Sequence, residues 1–180
     1  VGFHTYSKTK PVTKGNIFDL ASITKAVSTT SAIMNLVDEN KLSLDDKVVR
    51  YLPEFIGKQK SHYPQKRNTT IRHLITHTGG LPPFKQYFKM EGTRQARIDS
   101  ILNTEPIAGL SDSTIYSDVG LIILGKVIEN IAKSSLDVFT DSVVFSPLGM
   151  SSTFYNPLEI KLGRVVPTEN SKFHNKLIKG

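Results

Sequence analysis

Ser22 and Lys25 are spaced to act together in nucleophilic chemistry. Residues three apart on a helix lie on the same face about one turn apart, so their side chains can meet. A serine hydroxyl attacks a carbonyl poorly until a base takes its proton, and a lysine amine can be that base when its pKa is lowered. If Ser22 begins a helix, free backbone N–H groups of the first turn can also stabilise developing negative charge.

The Ser-x-x-Lys pattern occurs twice, and its context separates the two copies. Ser7 and Lys10 lie in a polar, Lys-rich stretch next to Pro11, which predicts a turn. Ser22 instead precedes apolar residues at helical spacing, which predict a core-facing stripe: Ile23, Ala26, Val27, Thr30, Ile33, Met34 and Val37. The alternative for Ser22 and Lys25 is an N-cap followed by a solvated helix residue, and the pattern alone does not exclude it.

Tyr116 and Asp118 form the second group of candidate residues. They belong to Tyr-Ser-Asp, just before an apolar helical pattern. A phenol has a pKa near 10, and a nearby ammonium lowers that pKa because it favours the phenolate. A tyrosine beside Lys25 could therefore share a proton with it and serve as base or acid. The alternative is a half-buried tyrosine at a helix start, with Asp118 as the N-cap.

Helices dominate the elements that must position these residues. The apolar pattern predicts one helix from Ser22 to near Asn40 and another from about Asp118 to Lys133. Shorter helices are predicted at 72–76, 97–103 and 136–144, and the basic stretch 57–68 is predicted to be an exposed loop. Strand-like pieces occur only near the two ends, the later one starting at Thr153. The pattern therefore predicts a helical body with a thin sheet.

Composition limits the class of protein. The chain has 180 residues, 38% of them hydrophobic and 22% charged, which is typical of one soluble globular domain with a core. It has no cysteine, which excludes disulfides and thiolate metal sites. The net charge of +7 is interpreted as a solvated basic surface, since no nucleic-acid motif accompanies it. Attraction to an anionic cell wall or membrane surface stays open.

Two further features bear on location and metal binding. No apolar run is as long as a membrane span, and the first residues carry no signal-peptide core, so an export signal is expected to have been removed or to lie upstream. His73 and His77 are four apart, as in helical metal pairs, but no glutamate completes that motif. We therefore expect no metal at these histidines and no cofactor.

Four ordered stretches of the sequence together resemble one known family. They are 18–25 with its helix, 41–53 with Leu-Ser-Leu-Asp-Asp and Tyr-Leu-Pro, 70–82 with Ile-Arg-His-Leu-Ile-Thr-His-Thr-Gly-Gly-Leu-Pro, and 116–125 with Pro-Leu-Gly-Met at 147–150. In order and separation they resemble the serine β-lactamase and penicillin-binding protein superfamily. The resemblance is to its class C β-lactamase-like branch, with D-alanyl-D-alanine carboxypeptidases and esterases, and it covers nearly the whole chain.

The resemblance implies roles for the candidate residues. Ser22 matches the acylated nucleophile, Lys25 the lysine of Ser-x-x-Lys, and Tyr116 the tyrosine of Tyr-x-Asn. Asp118 stands where β-lactamases of this branch usually have the asparagine that helps hold the substrate amide. This departure weakens a β-lactamase assignment, and it makes Asp118 the expected substrate-binding residue.

The resemblance also implies a fold and its limits. An α/β (α+β) β-lactamase/transpeptidase-like fold is expected, of which this chain is mostly the helical subdomain with partial strands at its ends. The family's third motif, Lys-Thr-Gly or His-x-Gly, does not occur after Tyr116. Residues 1–180 are therefore expected to be a fragment of one domain, lacking strands on both sides and that motif. Pairing with the missing sheet segment, or self-association, is then expected.

The predicted function is that of a serine hydrolase acting through an acyl-enzyme. Its expected substrates are esters, peptidoglycan-type peptides or β-lactams, with Lys25 or Tyr116 as the base, and its expected location is the periplasm or cell envelope. The alternative is a catalytically degenerate module that binds cell-wall peptide or a protein partner. Asp118 and the missing third motif favour this alternative, whereas the complete set of Ser22, Lys25 and Tyr116 opposes it.

Overall fold

Short helices make up most of the chain, and the computed structural model describes residues 2–58, 60–157 and 163–179. The helices are α1 (Lys25–Thr30, with the wide turns of a π-helix, continuing as Ser31–Asp38), α2 (Tyr63–Asn68), α3 (Ile71–Ile75), α4 (Arg94–Leu102), α5 (Asp118–Ala132) and α6 (Leu136–Thr140, continuing as the π-helical Asp141–Phe145). Single 3₁₀ turns lie at Val48–Arg50, Pro53–Ile56, Lys60–His62 and Tyr87–Lys89. The helices predicted at 72–76, 97–103 and 136–144 are confirmed to within one turn.

Helix α5 lies at the centre of the helical body. Its buried residues face neighbours on most sides, and they include Val119, Gly120, Ile123, Leu124, Gly125, Val127 and Ile128. Helices α3, α4, α6 and the first part of α1 pack around it. The N-cap is Ser117, whose Oγ accepts the Gly120 N–H at 3.2 Å, so the alternative that made Asp118 the N-cap is wrong. The helix ends at Lys133, which adopts a left-handed conformation with φ 54°.

The buried face of α1 differs from the predicted stripe. Ala32, Ile33 and Leu36 are buried, whereas Ile23 and Met34 are 57% and 65% exposed. The π-helical turns of Lys25–Thr30 explain part of the difference, because they change the period on which a stripe drawn at 3.6 residues per turn depends. As a result the polar pair Ser28 and Thr29 is buried.

The prediction of an exposed loop at 57–68 was wrong. This stretch contains a 3₁₀ turn and α2, and its residue Lys66 is only 2% exposed. The Lys66 Nζ donates to the carbonyl of Leu102 at 2.8 Å and lies 4.9 Å from the centre of the Phe55 ring. A lysine can be buried when its ammonium has such partners, and a polar sequence pattern does not show them.

Among the described residues, strands occur only towards the C-terminal end. Glu169–Ser171 (β1) and Lys176–Ile178 (β2) form an antiparallel hairpin, and Ile17 makes an isolated parallel bridge with Val165. The strand predicted to start at Thr153 does not form in the described residues 153–157, whose backbone is irregular or bent. A thin sheet beside a helical body is what the sequence predicts. In the described parts of the chain, no helix combines the length and apolar character needed to cross a bilayer.

Candidate active site

Ser22 lies immediately before the first turn of α1, with its side chain exposed to solvent. The Lys25 Nζ donates to the Ser22 Oγ at 3.0 Å, so the predicted contact across one helical turn is present. The chain enters the helix through Ala21, which has a left-handed φ of 44°, and the Ala21 N–H donates to Asp19 Oδ1 at 2.8 Å. This turn presents the hydroxyl of Ser22 at the surface rather than in the core.

Lys25 joins Ser22 to the second group of predicted residues. Its Nζ lies 2.7 Å from Asp118 Oδ1 and 4.9 Å from the centre of the Tyr116 ring. The Lys25 side chain keeps 20% of its surface exposed, so the ammonium is shielded from water on most sides. Tyr116 and Asp118, which are 91 and 93 positions from Lys25 in the sequence, thus meet around its ammonium group, as the sequence predicts.

Backbone contacts to the segment 77–83 fix the start of α5. The Ser117 Oγ donates to the carbonyl of Pro82 at 2.7 Å, and the Asp118 N–H donates to the carbonyl of Pro83 at 2.8 Å. Gly80 in this segment has a φ of 69°, and a Cβ at its position would lie 2.0 Å from the carbonyl oxygen of Ala108. Only glycine fits there, and this close packing holds the segment against which Tyr116 and Asp118 are placed.

The surroundings shift the pKa values of Lys25 and Tyr116 in opposite directions. Burial works to lower the pKa of Lys25, but hydrogen bonding to Asp118 and to Tyr116 outweighs it and raises that pKa above its ordinary value. Hydrogen bonding from Lys25, and then from Ser22, lowers the pKa of Tyr116. The site therefore favours a lysine ammonium next to a phenol that gives up its proton more readily than usual.

The first turn of α1 offers fewer free donors than the sequence suggests. The N–H groups of Ile23, Thr24 and Lys25 donate to the carbonyls of Leu20, Ala21 and Ser22 at 2.9–3.1 Å. Among the described residues, the N–H of Ser22 itself has no such partner. The expectation that several N–H groups of the first turn are free is therefore wrong, because the helix begins with tight turns that use them.

The two histidines of 70–82 have separate backbone partners. The His73 Nδ1 accepts the Thr70 N–H at 3.0 Å and completes the N-cap of α3. The His77 Nδ1 accepts the Ser117 N–H at 3.0 Å, and its ring centre lies 4.6 Å from that of Tyr116. The described residues contain no group of three side chains suited to hold a metal ion. The sequence did not predict the contact of His77 with the Tyr-Ser-Asp segment.

An open groove of about 670 Å³ adjoins the segment before Ser22. Phe18, Asp19, Leu20 and Thr24 contribute to its wall, whereas Ser22, Lys25 and Tyr116 do not. Its far wall comes from residues 152–157 and from Val165. This groove therefore lies next to the reacting groups rather than around them.

Comparison with known proteins identifies the family. The family model for Beta-lactamase matches residues 1–178, nearly the whole chain. The chain belongs to the Beta-lactamase family. The recognition of the serine β-lactamase and penicillin-binding protein superfamily from the four sequence stretches is thereby confirmed.

Individual relatives and solved structures agree with this assignment. A putative D-alanyl-D-alanine carboxypeptidase of Escherichia coli (strain K12) is 31% identical over 153 residues, which cover 81% of this chain and 35% of that protein. A class C β-lactamase from Rhodobacter sphaeroides has a TM-score of 0.73 at 23% identity, covering 93% of this chain and 45% of that one. EstCE1, described as a hydrolase with promiscuous acyltransferase activity, has a TM-score of 0.76 at 22% identity, covering 99% and 49%.

These comparisons support the fold more fully than the activity. The expected β-lactamase-like fold, present here as a helical part with short strands, is confirmed by the solved structures. This Beta-lactamase family chain spans about a third of the length of the curated relatives it matches. The activity and substrates of the whole protein are therefore matters for proposal.

Proposed function

We propose that this chain carries the nucleophile and the proton-transfer groups of a serine hydrolase that works through an acyl-enzyme. The contact that carries the proposal is the 3.0 Å hydrogen bond from Lys25 Nζ to the exposed Ser22 Oγ. In this bond the Ser22 oxygen is the acceptor. The hydrogen of the Ser22 hydroxyl therefore remains free to be donated to a base. We propose an ester, a peptidoglycan-type peptide or a β-lactam as the substrate.

Tyr116 is the base that the electrostatics favour. Its pKa is lowered by hydrogen bonding from Lys25 and Ser22, whereas the raised pKa of Lys25 keeps the amine protonated. In the acylation step the Ser22 hydroxyl proton moves to the Tyr116 oxygen while the Ser22 Oγ bonds to the substrate carbonyl carbon. The phenol then returns that proton to the departing group as its bond to the carbonyl carbon breaks. Tyr116 enters this step as a phenolate stabilised by the Lys25 ammonium, and Lys25 stays protonated throughout.

Water completes the cycle by the same route in reverse. Tyr116 takes a proton from a water molecule, the water oxygen bonds to the acyl carbon, and Ser22 leaves with a proton returned by the phenol. The N–H of Ser22 has no backbone partner among the described residues and is assigned to the carbonyl oxygen of the substrate. Further donors for that oxygen would come from the third motif of the family.

Asp118 is assigned two functions in this scheme. Its Oδ1 lies 2.7 Å from Lys25 Nζ and helps to keep the ammonium charged. Its side chain is 40% exposed, so it can also contact a bound substrate from the start of α5. We therefore retain Asp118 as a substrate-binding residue, with a carboxylate in place of the usual amide.

The rest of the site is proposed to come from sequence not contained in this chain. This proposal rests on the third motif missing from the sequence and on the 35% of the carboxypeptidase relative that the chain covers. In this scheme residues 1–180 form the helical part of one β-lactamase-like domain, which pairs with the remaining sheet or with a second copy. A peptidoglycan-type substrate would place the protein in the periplasm or cell envelope. No cofactor enters the scheme.

The second candidate function is a non-catalytic module that binds cell-wall peptide or a protein partner. The observation that favours it is Asp118, because a carboxylate cannot donate the hydrogen bonds of an amide to a substrate carbonyl. A fluorescent acyl-enzyme probe distinguishes the two, since a binding module would retain peptide but form no covalent bond.

The test is covalent labelling of the whole protein, in which residues 1–180 are joined to the proposed remaining sheet and third motif, with a fluorescent fluorophosphonate and with a fluorescent penicillin. We expect labelling of the wild-type chain, and its loss in Ser22→Ala because the bond-forming oxygen is gone. Ser7→Ala is the matched control, since it removes the serine of the other Ser-x-x-Lys sequence and should label like the wild type. Equal labelling of wild type and Ser22→Ala would overturn the mechanism.

A further inference from the structure

His77 is placed against the proposed base but takes no part in the chemistry described above. It follows α3 with a left-handed φ of 61°, and its backbone carbonyl accepts the Ile115 N–H at 2.8 Å. Its ring centre lies 4.6 Å from that of Tyr116, with the planes tilted by 46°. The side chain therefore contacts the segment that carries Tyr116 at both its backbone and its ring.

The hydrogen bond to Ser117 defines the protonation state of the imidazole. The Ser117 N–H donates to His77 Nδ1 at 3.0 Å. A backbone N–H can only donate, so Nδ1 carries no proton and the neutral ring must be protonated at Nε2. Protonation of Nδ1 would set two N–H groups against each other and remove this bond.

The charges around His77 favour the neutral ring. Burial lowers its pKa, the Lys25 ammonium lowers it further, and the Asp118 carboxylate opposes both. The groups facing the ring are Lys25 on α1, Asp118 on α5 and the Tyr116 phenol. A second cation at His77 would lie in the same small cluster as the Lys25 ammonium.

Few of the described residues hold Tyr116. The residue is 53% exposed, its ring contacts His77 and the Lys25 ammonium at 4.9 Å, and its oxygen hydrogen-bonds to Lys25 and Ser22. A ring that turned away would take the phenol oxygen from Ser22 and Lys25. A misplaced acid–base group loses much of its effect on the rate.

We propose that neutral His77 is a positioning residue, which holds the Ser117 backbone and the Tyr116 ring so that the phenol stays beside Ser22 and Lys25. The inference rests on the proposed function. Protonation of His77 at low pH releases this hold, so the acid side of the activity profile reports two protonations, one at Tyr116 and one at His77.

Two substitutions of His77 distinguish the effect of its hydrogen bond to the Ser117 N–H from the effect of the space that its side chain fills. His77→Asn keeps an acceptor for the Ser117 N–H, tolerates the left-handed backbone and cannot gain a proton. His77→Leu removes the acceptor. With the fluorophosphonate probe, we expect His77→Leu to label Ser22 about 10–100-fold more slowly, since it misplaces one acid–base group, and His77→Asn to label within about threefold of wild type. At acid pH the labelling rate of His77→Asn should depend on one protonation, that of Tyr116, whereas the rate of wild type should depend on two.

His73→Asn is the matched control. His73 has the same kind of bond, from the Thr70 N–H to Nδ1 at 3.0 Å, but it has no recorded contact with Tyr116. We expect its acid limb to keep the wild-type form. Circular dichroism melting of all variants shows which of them fold, and His77→Asn keeps the test valid if His77→Leu does not.

Two nuclear magnetic resonance measurements test the inference without turnover. Nitrogen spectra of the imidazoles should show His77 protonated at Nε2, and the Tyr116 phenol carbon should titrate at a higher pH in His77→Leu than in wild type. An Nδ1–H ring, an unchanged Tyr116 titration, or equal acid limbs in wild type and His77→Asn would overturn the positioning role. Absence of any labelling in wild type would instead overturn the proposed function, and the two spectra would still decide the role of His77.

Discussion

Lys25 and Lys66 are two shielded lysines whose pKa values move in opposite directions. Lys66 is 2% exposed and donates to the neutral carbonyl of Leu102, and burial lowers its pKa to about 8. Lys25 is also shielded, yet the pKa of Lys25 is raised, since hydrogen bonding to Asp118 and Tyr116 outweighs the effect of burial. The contrast shows that a carboxylate 2.7 Å away and a phenol can together outweigh the loss of water around an amine.

The comparison of Lys25 with Lys66 also shows that the ability of an amine to act as a base at neutral pH and its place in the candidate site are separate properties. Judged by pKa alone, Lys66 is the better general base near neutral pH, but its amine faces a carbonyl and an aromatic ring in the core. Lys25 is the poorer base, and it has a serine hydroxyl at 3.0 Å. In this molecule the partner decides the role of a lysine, and the lowered pKa of Lys66 does not by itself make it a catalytic residue.

The largest expected effect comes from exchanging each lysine for methionine and measuring fluorophosphonate labelling of Ser22. Lys25→Met removes the cation that stabilises the phenolate, so labelling should slow by about 10³-fold or more. Lys66→Met should label like the wild type, because it lies outside the site. Fast labelling of Lys25→Met would show that the ammonium is not part of the mechanism and would remove the distinction between the two lysines.

The next effect is on stability and concerns Lys66→Met, measured by urea unfolding from pH 7 to 10.5. In wild type the folded-state pKa is about 8, below the ordinary 10.5, so the folded state disfavours the charged amine. The cost is complete below pH 8, where both states are protonated, and it disappears as the pH rises through 8 to 10.5. Allowing for the lost hydrogen bond to Leu102, methionine should raise the free energy of unfolding by roughly 2 kcal/mol at pH 7.

The control for this experiment is Lys58→Met, since Lys58 is exposed. It should leave the free energy of unfolding within about 0.5 kcal/mol of wild type. The difference in the free energy of unfolding between Lys66→Met and wild type should shrink as the pH increases. Taking this difference cancels the titration of the other lysines and tyrosines, which both proteins share. If Lys66→Met is less stable than wild type by the same amount at every pH from 7 to 10.5, the pKa of Lys66 is not lowered.

The smallest effect concerns Asp118→Asn, measured as the pH dependence of labelling and as the ratio of penicillin to ester reactivity. Removing the carboxylate lowers the pKa of Lys25, because Asp118 raises it, so the alkaline limb should move to lower pH. The pKa of Tyr116 should fall as well, since Asp118 raises it by its charge. The restored amide should favour the β-lactam by a few-fold, within the range of one hydrogen bond. An unchanged ratio would show that Asp118 does not face the substrate.

The helices could be predicted where one face is apolar throughout. Helix α5 follows its apolar pattern and begins at the predicted residue Asp118, although its N-cap is Ser117 and not the Asp118 of the alternative interpretation. The stretch 57–68 could not be predicted in this way, because it is polar and its buried lysine depends on Leu102 and Phe55. These partners are distant in sequence, so no local pattern records them.

In the candidate site, too, some contacts could be predicted from the sequence and others could not. Ser22, Lys25, Tyr116 and Asp118 could be predicted to meet, since the spacing of the first pair and the order of the motifs both point to one cluster. The interaction of His77 could not, because its Nδ1 accepts from a backbone N–H 40 residues away. A backbone donor has no sequence signature. The only local signal was the histidine next to Thr-Gly-Gly, which is typical of a turn.

Ile17 and Val165 pair in a parallel bridge, and the helical body lies between them in the sequence. It is therefore one long connection between two neighbouring parallel segments. Asn16 and Arg164 beside the bridge are joined by a hydrogen bond that spans 148 positions. Closing a loop of that length costs about 4 kcal/mol of chain entropy, whereas the contacts within each helix need almost none. We therefore expect the bridge between Ile17 and Val165 to close after the helices have formed. Ser22 lies five residues after Ile17, so we expect the nucleophile to reach its final setting late in folding.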